Sequence, residues 1–223
     1  GFDDACESRA EVHRLLDYLG ANGSKAHRWI AENIMNLKSN DATHLIVIGS
    51  TLPSSMEIPL MQGFREHPDI QEVTCIDTNA VHESISFFDR IERRMNPNSN
   101  RRIKAYNKQL LQALESLPSG TPLLVFKGME VLPSTLVEAK KRGCILVNFN
   151  PDHPYIFSGR GSGNRNVTEG IPLYDLYLTY SHDAKTKLMA NGVRSEVVPF
   201  GFENSEWMDD WVTAEEEILA TCF

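Results

Sequence analysis

An aspartate and a histidine stand side by side in the polar segment Pro151–Tyr155, which follows an apolar run. A carboxylate or an imidazole that faces a cleft can act as a general base. Either Asp152 or His153 could take the proton of a substrate hydroxyl, or Asp152 could orient His153. In the structural alternative, Asp152 caps the following turn and His153 packs beside Pro154. This pair is our candidate for catalysis.

The elements that must position the pair are two short apolar runs. Leu123–Phe126 and Cys144–Val147 contain no alternating polar residues, as is typical of parallel strands covered on both faces. Between them, Pro133 suits a first helical turn and Gly143 suits a helix end. Ligands of open α/β sheets bind beyond the carboxyl ends of the strands. The order strand, helix, strand and polar loop therefore predicts a site at residues 151–155.

Other residues at strand ends or in a glycine-rich loop could contact a substrate. Lys127 follows the first of these strands, where it could pair with a phosphate or simply be exposed. The segment Ile156–Gly170 could close over an anionic ligand through its arginines, or serve as a flexible connector. No cluster of histidines and acids shows metal-ligand spacing, so no metal site is predicted. The predicted substrate-binding residues are Gly49, Ser50, Asp77, Lys127, Asn150, Arg160, Arg165 and His182.

A second strand–helix–strand pattern runs from His44 to Asp77. Gly49 ends its first strand and Asp77 its second, which are the positions of a dinucleotide-binding glycine and its ribose-binding acid. However, the sequence after Gly49 is STLPSSM, which lacks the G-x-G-x-x-G pattern, and Pro53 interrupts the expected helix start. The pattern favours a strand-end turn that lines a cleft, and we predict no cofactor.

The segment Asn96–Arg102 is a polar break that Arg93 and Arg94 precede. Its turn-forming residues favour a solvated loop, with a phosphate-binding role as the alternative. An amphipathic helix is predicted to follow over Ile103–Leu117.

The bulk composition indicates a globular protein and excludes some partners. The chain has 223 residues, of which 41% are hydrophobic, and a net charge of −8. This acidic balance argues against broad binding to nucleic acid or to anionic membranes, although a local basic pocket remains compatible with it. No apolar run reaches the roughly 20 residues of a membrane span. The scattered cysteines form no C-x-x-C pair and favour a reduced, cytoplasmic protein.

The alternation of strands and helices predicts an α/β fold with a Rossmann-like open parallel sheet and helices on both faces. We expect a helical segment at residues 1–42, the sheet domain at residues 43–203 and a helical tail at residues 204–223.

Three segments together resemble the N-terminal half of GT-B glycosyltransferases, and most closely the spore-maturation (CgeB-like) group. They are LLVFKGMEVLPSTLVEAKKRGCILVNFNPDHPY, YDLYLTYS and LMANGVRSEVVPFGFE, and their order and spacing carry the resemblance. The family has a Pro-Asp-Asp-Pro-like loop, in which His153 here replaces the second acid. The resemblance covers Thr121–Glu203, and Thr43–Asp77 is consistent with it.

The resemblance implies two Rossmann-like domains that face each other across a cleft. The N-terminal domain would bind a sugar or protein acceptor, and the C-terminal domain would bind the nucleotide-sugar donor. Nothing after Glu203 matches the donor-binding domain, so the chain is expected to be a fragment or to work with a partner chain that supplies this domain. The implied reaction is sugar transfer to an acceptor hydroxyl.

Two other classes of function compete with sugar transfer. A non-catalytic Rossmann-like binding or scaffold module would explain why the donor half is missing. A methyltransferase that uses S-adenosylmethionine would explain the residues VIGS and the following strand that ends at Asp77. However, this sequence lacks the glycine-rich loop of such enzymes, and the methyltransferase interpretation leaves Pro151–Tyr155 unexplained.

Overall fold

The computed structural model describes residues 25–37, 44–82, 86–156 and 164–198. The chain divides into two compact units, one formed by Gly1–Ala26 with Phe200–Phe223 and the other by His27–Pro199. Apart from Lys25 and Ala26, all described residues belong to the second unit. The predicted C-terminal tail and most of the predicted N-terminal helical segment lie outside the described residues, as does Arg160.

Six parallel strands form one open sheet in the described residues, which confirms the predicted α/β fold. The order across the sheet is β2-β1-β3-β4-β5-β6. The chain leaves β1 in one direction along the sheet and returns to β3 on its other side, so the strand order reverses there. The strands are β1 (His44–Gly49), β2 (Glu72–Asp77), β3 (Pro122–Phe126), β4 (Ile145–Asn150), β5 (Leu176–Thr179) and β6 (Ser195–Val197).

Helices alternate with the strands, and most of them lie where the sequence predicts. Two were not predicted: α3, and α6 within the glycine-rich segment, where we expected no helix. The Asn164 side chain accepts a hydrogen bond from the Asn166 N–H and caps α6, which the loop interpretation overlooked. The helices are α1 (Lys25–Met35), α2 (Glu57–Arg65), α3 (Phe87–Met95), α4 (Arg101–Ala113), α5 (Pro133–Lys141), α6 (Arg165–Gly170) and α7 (His182–Ala190).

Apolar side chains of alternate strand residues supply a core on each face of the sheet, because successive side chains of a strand point to opposite faces. One core joins the strands to α4, α5 and α7 and includes Ile46, Ile48, Leu123, Val125, Leu146, Tyr177, Leu110, Leu136 and Leu188. On the other face, right-handed crossover places α2 beneath β1 and β2. Helix α1 packs on α2, since a Cβ atom at Gly63 would overlap the His27 ring.

Candidate functional site

A pocket of about 730 Å³ lies where β3 and β4 end, at the carboxyl edge of the sheet. Its size is typical of a small-molecule site, and most of the residues that line it are polar or charged. Four predicted site residues line it: Lys127, Asn150, Asp152 and His153. The pocket therefore brings both predicted catalytic residues together with two of the predicted substrate-binding residues.

Lys127 reaches the pocket from a tight turn directly after β3. Its φ is +54°, which is uncommon for a residue with a side chain, and the Gly128 N–H donates to the Phe126 carbonyl at 2.5 Å. This is a three-residue γ-turn, and such positive-φ turns are rare and strained. Backbone strain of this kind costs about 1–3 kcal/mol and concentrates at functional sites. The Lys127 N–H also donates to the Phe149 carbonyl, which ties the turn to β4.

Asp152 forms an ion pair with Lys127 across the pocket. The distance from Lys127 Nζ to Asp152 Oδ2 is 2.8 Å, and the two side chains are 44% and 68% exposed. An ion pair this exposed contributes about 1 kcal/mol or less to stability. Both groups are therefore accessible to a ligand, and little folding energy is lost if a ligand separates them.

Asn150 fixes the bend that carries Asp152. The side chain is buried, its amide donates to the Tyr177 hydroxyl at 3.0 Å, and its carbonyl accepts the Asp152 N–H at 2.9 Å. Burial raises the pKa of Tyr177, so the phenol stays neutral. Because both ends of the Asn150 side chain are engaged within the protein, it positions the loop after β4.

His153 also has partners at both ring nitrogens. Nε2 lies 2.9 Å from Asp183 Oδ2, and Nδ1 accepts the Tyr155 N–H at 3.2 Å. A neutral imidazole has one donor and one acceptor nitrogen, so this arrangement places the ring proton on Nε2. Lys187 and then His153 lower the pKa of Asp183 through hydrogen bonds. The structure thus pairs His153 with Asp183, and the alternative in which Asp152 orients His153 does not match the observed contacts.

Gly49, Ser50 and Asp77 form a separate hydrogen-bonded turn and do not line the pocket. The Ser50 N–H donates to Glu57 Oε1 at 3.0 Å, and a Cβ at Gly49 would lie 2.7 Å from Glu57 Cγ. Asp77 accepts the Thr51 hydroxyl at 2.7 Å. The Glu57 carboxylate fills the position at the start of α2 that a phosphate would need. This turn is therefore poorly suited to a nucleotide phosphate.

The remaining predicted substrate-binding residues that are described also lie away from the pocket lining. Arg165 pairs with Glu169 at 2.7 Å on α6, and its side chain is 75% exposed. His182 is the exposed first residue of α7.

Charged residues outside the list of predicted site residues form another wall of the pocket, and some of them belong to the basic segment at Asn96–Arg102. Asp89 is buried and accepts hydrogen bonds from the Ser86 hydroxyl at 2.7 Å and from Arg101 Nη2 at 2.6 Å. The Ser86 and Arg101 side chains lower the pKa of Asp89 to about 2, so it is a fixed negative charge. Arg102 donates to the carbonyls of Ala80 and Val81. Hydrogen bonds within the protein fix the side chains of Asp89 and Arg102, which therefore form a rigid part of the pocket wall.

Arg93 differs from the other charged residues of the pocket. It is exposed, and within the described ranges its side chain makes no ion pair or hydrogen bond, whereas Glu130 pairs with His82 at 2.9 Å. Its guanidinium is free to meet an anionic group of a ligand. The sequence signal for it was the cluster of arginines before Asn96.

Two buried asparagines hold the loops that carry these residues. Asn107 on α4 donates to the Glu130 carbonyl at 2.7 Å and accepts the Leu132 N–H at 2.8 Å. Asn166 on α6 donates to the carbonyls of Asn98 and Met129, both at 2.8 Å. The loops before α4 and after β3 are thereby fixed to helices on either side of the pocket.

Within the described residues, no three histidine, cysteine or acidic side chains are close enough together to hold a metal ion. None of the helices in these residues is both long and apolar enough to span a membrane.

Comparisons with known proteins add little to this geometry. No protein-family model and no curated protein matches the chain. It is similar to a solved structure described as SPT with PLP, with 16% identity and a TM-score of 0.35. It is also similar to a serine palmitoyltransferase from S. paucimobilis with a bound PLP–myriocin aldimine, with 15% identity and a TM-score of 0.32. Each similarity covers 72% of this chain and 35% of the other, so the chain spans about a third of their length. Similarity this distant supports no family, ligand or activity.

Proposed function

We propose that the chain is the acceptor-binding half of a GT-B-type glycosyltransferase of the spore-maturation (CgeB-like) kind. Its pocket binds an acceptor hydroxyl, and a donor domain or partner chain supplies the nucleotide sugar. The observation that carries this proposal is the exposed Asp152 carboxylate at the carboxyl edge of a parallel sheet, beside Lys127 in the pocket. The residues that carry the family resemblance include this same loop.

The pocket has the mixed character that a sugar requires. The Asp152 carboxylate can accept hydrogen bonds from hydroxyl groups, and the Lys127 ammonium group can donate hydrogen bonds to hydroxyl oxygens. Met129, Ile156 and Tyr180 lie on the same pocket, are partly exposed and present apolar surface to the C–H faces of a sugar ring. A sugar therefore finds both polar anchors and apolar surface at this edge of the sheet.

In the proposed transfer, Asp152 is the general base. The acceptor oxygen bonds to the anomeric carbon of the nucleotide sugar while its proton passes to Asp152. The bond from the anomeric carbon to the diphosphate breaks, and the nucleotide diphosphate leaves with the electron pair. Lys127 orients the carboxylate, and His153 anchors the loop to Asp183 because both of its ring nitrogens are engaged.

The engaged state of His153 also favours a second candidate, a binding module that performs no chemistry. A ligand could be held by Lys127 and Asp152 without proton transfer. This candidate predicts ligand binding at the same pocket but no sugar transfer. The methyltransferase interpretation is favoured by no contact in the described residues, since the turn at Gly49 is filled by the Glu57 carboxylate.

Calorimetric titration of the 223-residue chain tests the binding part of this proposal. Sugar acceptors are the ligands, and nucleotide sugars and S-adenosylmethionine are the comparisons. We expect Asp152→Asn and Lys127→Met to weaken sugar binding by about tenfold, as for the loss of a charged hydrogen bond. The double variant Lys185→Met/Glu196→Gln removes an ion pair of 2.7 Å outside the pocket lining and should bind like the original chain. Binding of S-adenosylmethionine alone would contradict the proposal.

A sugar-transfer assay of the complete enzyme tests the catalytic part. Removing a general base lowers kcat by about 10²–10⁴-fold, so Asp152→Asn should reduce kcat by this factor, and the KM for the acceptor should rise with the weaker binding. His153→Ala should have a smaller effect on kcat. If kcat/KM were unchanged in Asp152→Asn, this residue would have no part in the mechanism. Sugar binding without any transfer would instead favour the binding module.

A further inference from the structure

Helix α3 exposes its apolar side. Phe87, Phe88, Ile91 and Met95 are 71%, 74%, 44% and 73% exposed. At 3.6 residues per turn these four side chains lie within an arc of about 100° on the helix. Phe87 and Phe88 contact each other edge to face, with ring centroids 6.1 Å apart. A contiguous exposed ridge of large apolar side chains usually marks an interaction surface.

The attachment of α3 explains why this side faces outward. Helix α3 is anchored through its polar side, where Asp89 is buried against Ser86 and Arg101. Glu92 accepts the Arg101 N–H at 2.8 Å. This is the reverse of an ordinary surface helix, which buries its apolar stripe and exposes its charges. The polar anchor therefore holds the apolar ridge outside the core cluster of the described residues.

The charge of α3 differs from that of the whole chain. Its two acids, Asp89 and Glu92, are both paired with Arg101. Arg90, Arg93 and Arg94 are exposed, and no hydrogen bond or ion pair engages their side chains in the part of the chain that the structure describes. The helix is thus locally cationic, although the chain carries a net charge of −8.

We propose that α3 binds the surface of an anionic lipid bilayer. An interfacial helix carries aromatic and aliphatic residues on one side and arginine or lysine on the other. Arg94 and Arg90 border one side of the apolar ridge on the helix wheel, about 20° and 60° beyond Phe87, where their long side chains can reach lipid phosphates while the ridge enters the headgroup layer. Within the described residues, none of the four ridge side chains lines the pocket, and the outer side of a helix is convex, which favours a fluid surface over a groove-bound protein segment. This inference does not depend on the proposed sugar transfer.

The orientation has a consequence for the pocket. Asp89 and Arg93, on the opposite side of α3, line the pocket. A helix with its side chains is about 10–12 Å across, so the pocket would lie about one helix diameter from the membrane. Helix α3 would then set the distance between the pocket and the lipid surface.

Vesicle flotation of the full chain tests this inference. We expect the chain to float with phosphatidylcholine vesicles that contain about 30% phosphatidylglycerol, to bind pure phosphatidylcholine weakly, and to dissociate in about 0.5 M salt. Phe87→Ser/Phe88→Ser should reduce the bound fraction about tenfold, because binding scales with the apolar area that is buried. Arg90→Glu/Arg94→Glu should reduce it at least as much.

Matched controls separate this surface from general effects of charge and hydrophobicity. Lys104→Glu/Lys108→Glu makes the same change of charge on exposed positions of α4, and Met189→Ser removes a side chain that is 56% exposed on α7. Both controls should float like the original chain. Thermal unfolding of each variant checks that it is folded.

Two results would overturn the proposal. One is the absence of flotation with anionic vesicles, or equal flotation of the α3 variants and the original chain. The other is self-association that depends on concentration and is removed by Phe87→Ser/Phe88→Ser without any flotation, which would assign the ridge to a protein partner.

Discussion

Replacing Asn107 with alanine should destabilise the protein and loosen one wall of the pocket. The change removes two hydrogen bonds from the loop after β3, one to the Glu130 carbonyl and one from the Leu132 N–H. A buried polar group that loses its hydrogen-bond partner destabilises a protein by about 1–3 kcal/mol. Because this loop is partly exposed, we expect each of the two unpaired groups to cost an amount near the lower end of this range. The higher helix propensity of alanine offsets about 0.6 kcal/mol of this destabilisation. The free energy of unfolding should therefore fall by about 2 kcal/mol.

Urea unfolding measures this change, and Gln109→Ala is the matched control. Gln109 is exposed on the same helix, so its replacement should change the stability by about 0.5 kcal/mol or less. The midpoint should fall in Asn107→Ala without a change in the m value, because the folded state stays compact. Equal stabilities of the two variants would refute the view that the Asn107 amide holds this loop.

Two further changes test the turn at Lys127 and the anchor of α3. Gly128→Ala should destabilise more than Gly120→Ala: both glycines have a positive φ (+91° and +86°), but a Cβ at Gly128 would lie 3.0 Å from the Tyr174 hydroxyl, whereas a Cβ at Gly120 meets no atom within 4 Å. Equal unfolding midpoints in urea would contradict this reasoning. Because the folded pKa of Asp89 is lowered to about 2, its stabilising contribution is present above about pH 4 and is lost as the pH falls toward 2. Asp89→Asn should therefore be less stable than the original chain at neutral pH and lose less stability between about pH 4 and pH 2. If urea unfolding at several pH values gave both proteins the same dependence of the unfolding free energy on pH, this reasoning would be contradicted.

The sheet could be predicted from the sequence because its central strands are buried on both faces. Leu123–Phe126 and Cys144–Val147 are uninterrupted apolar runs, and the pattern of parallel strands follows from the helices between them. Helix α3 could not be predicted in the same way. Its buried side is polar, so its apolar periodicity marks the exposed surface. Helix α6 was also not predicted, because the glycines near its cap at Asn164 favoured a loop.

Only the site residues at the ends of strands could be predicted from the sequence. Asn150 ends β4, and Lys127 and Asp152 come just after β3 and β4, which are neighbours in the sheet, so their proximity follows from parallel pairing. Their partners are set by tertiary structure. Asp183, which meets His153, follows a strand 30 residues later in the chain, and Arg93 reaches the pocket from a helix that the pattern did not predict.

An NMR titration that follows the backbone amides tests the central claim most directly. The chain is titrated with sugar acceptors, and the amide shifts are mapped onto the sheet. We predict saturable shifts at Lys127, Asn150 and Asp152, which line the pocket. Shifts confined to Gly49 and Asp77, or the absence of shifts with every sugar, would contradict the assignment of this pocket as the sugar site.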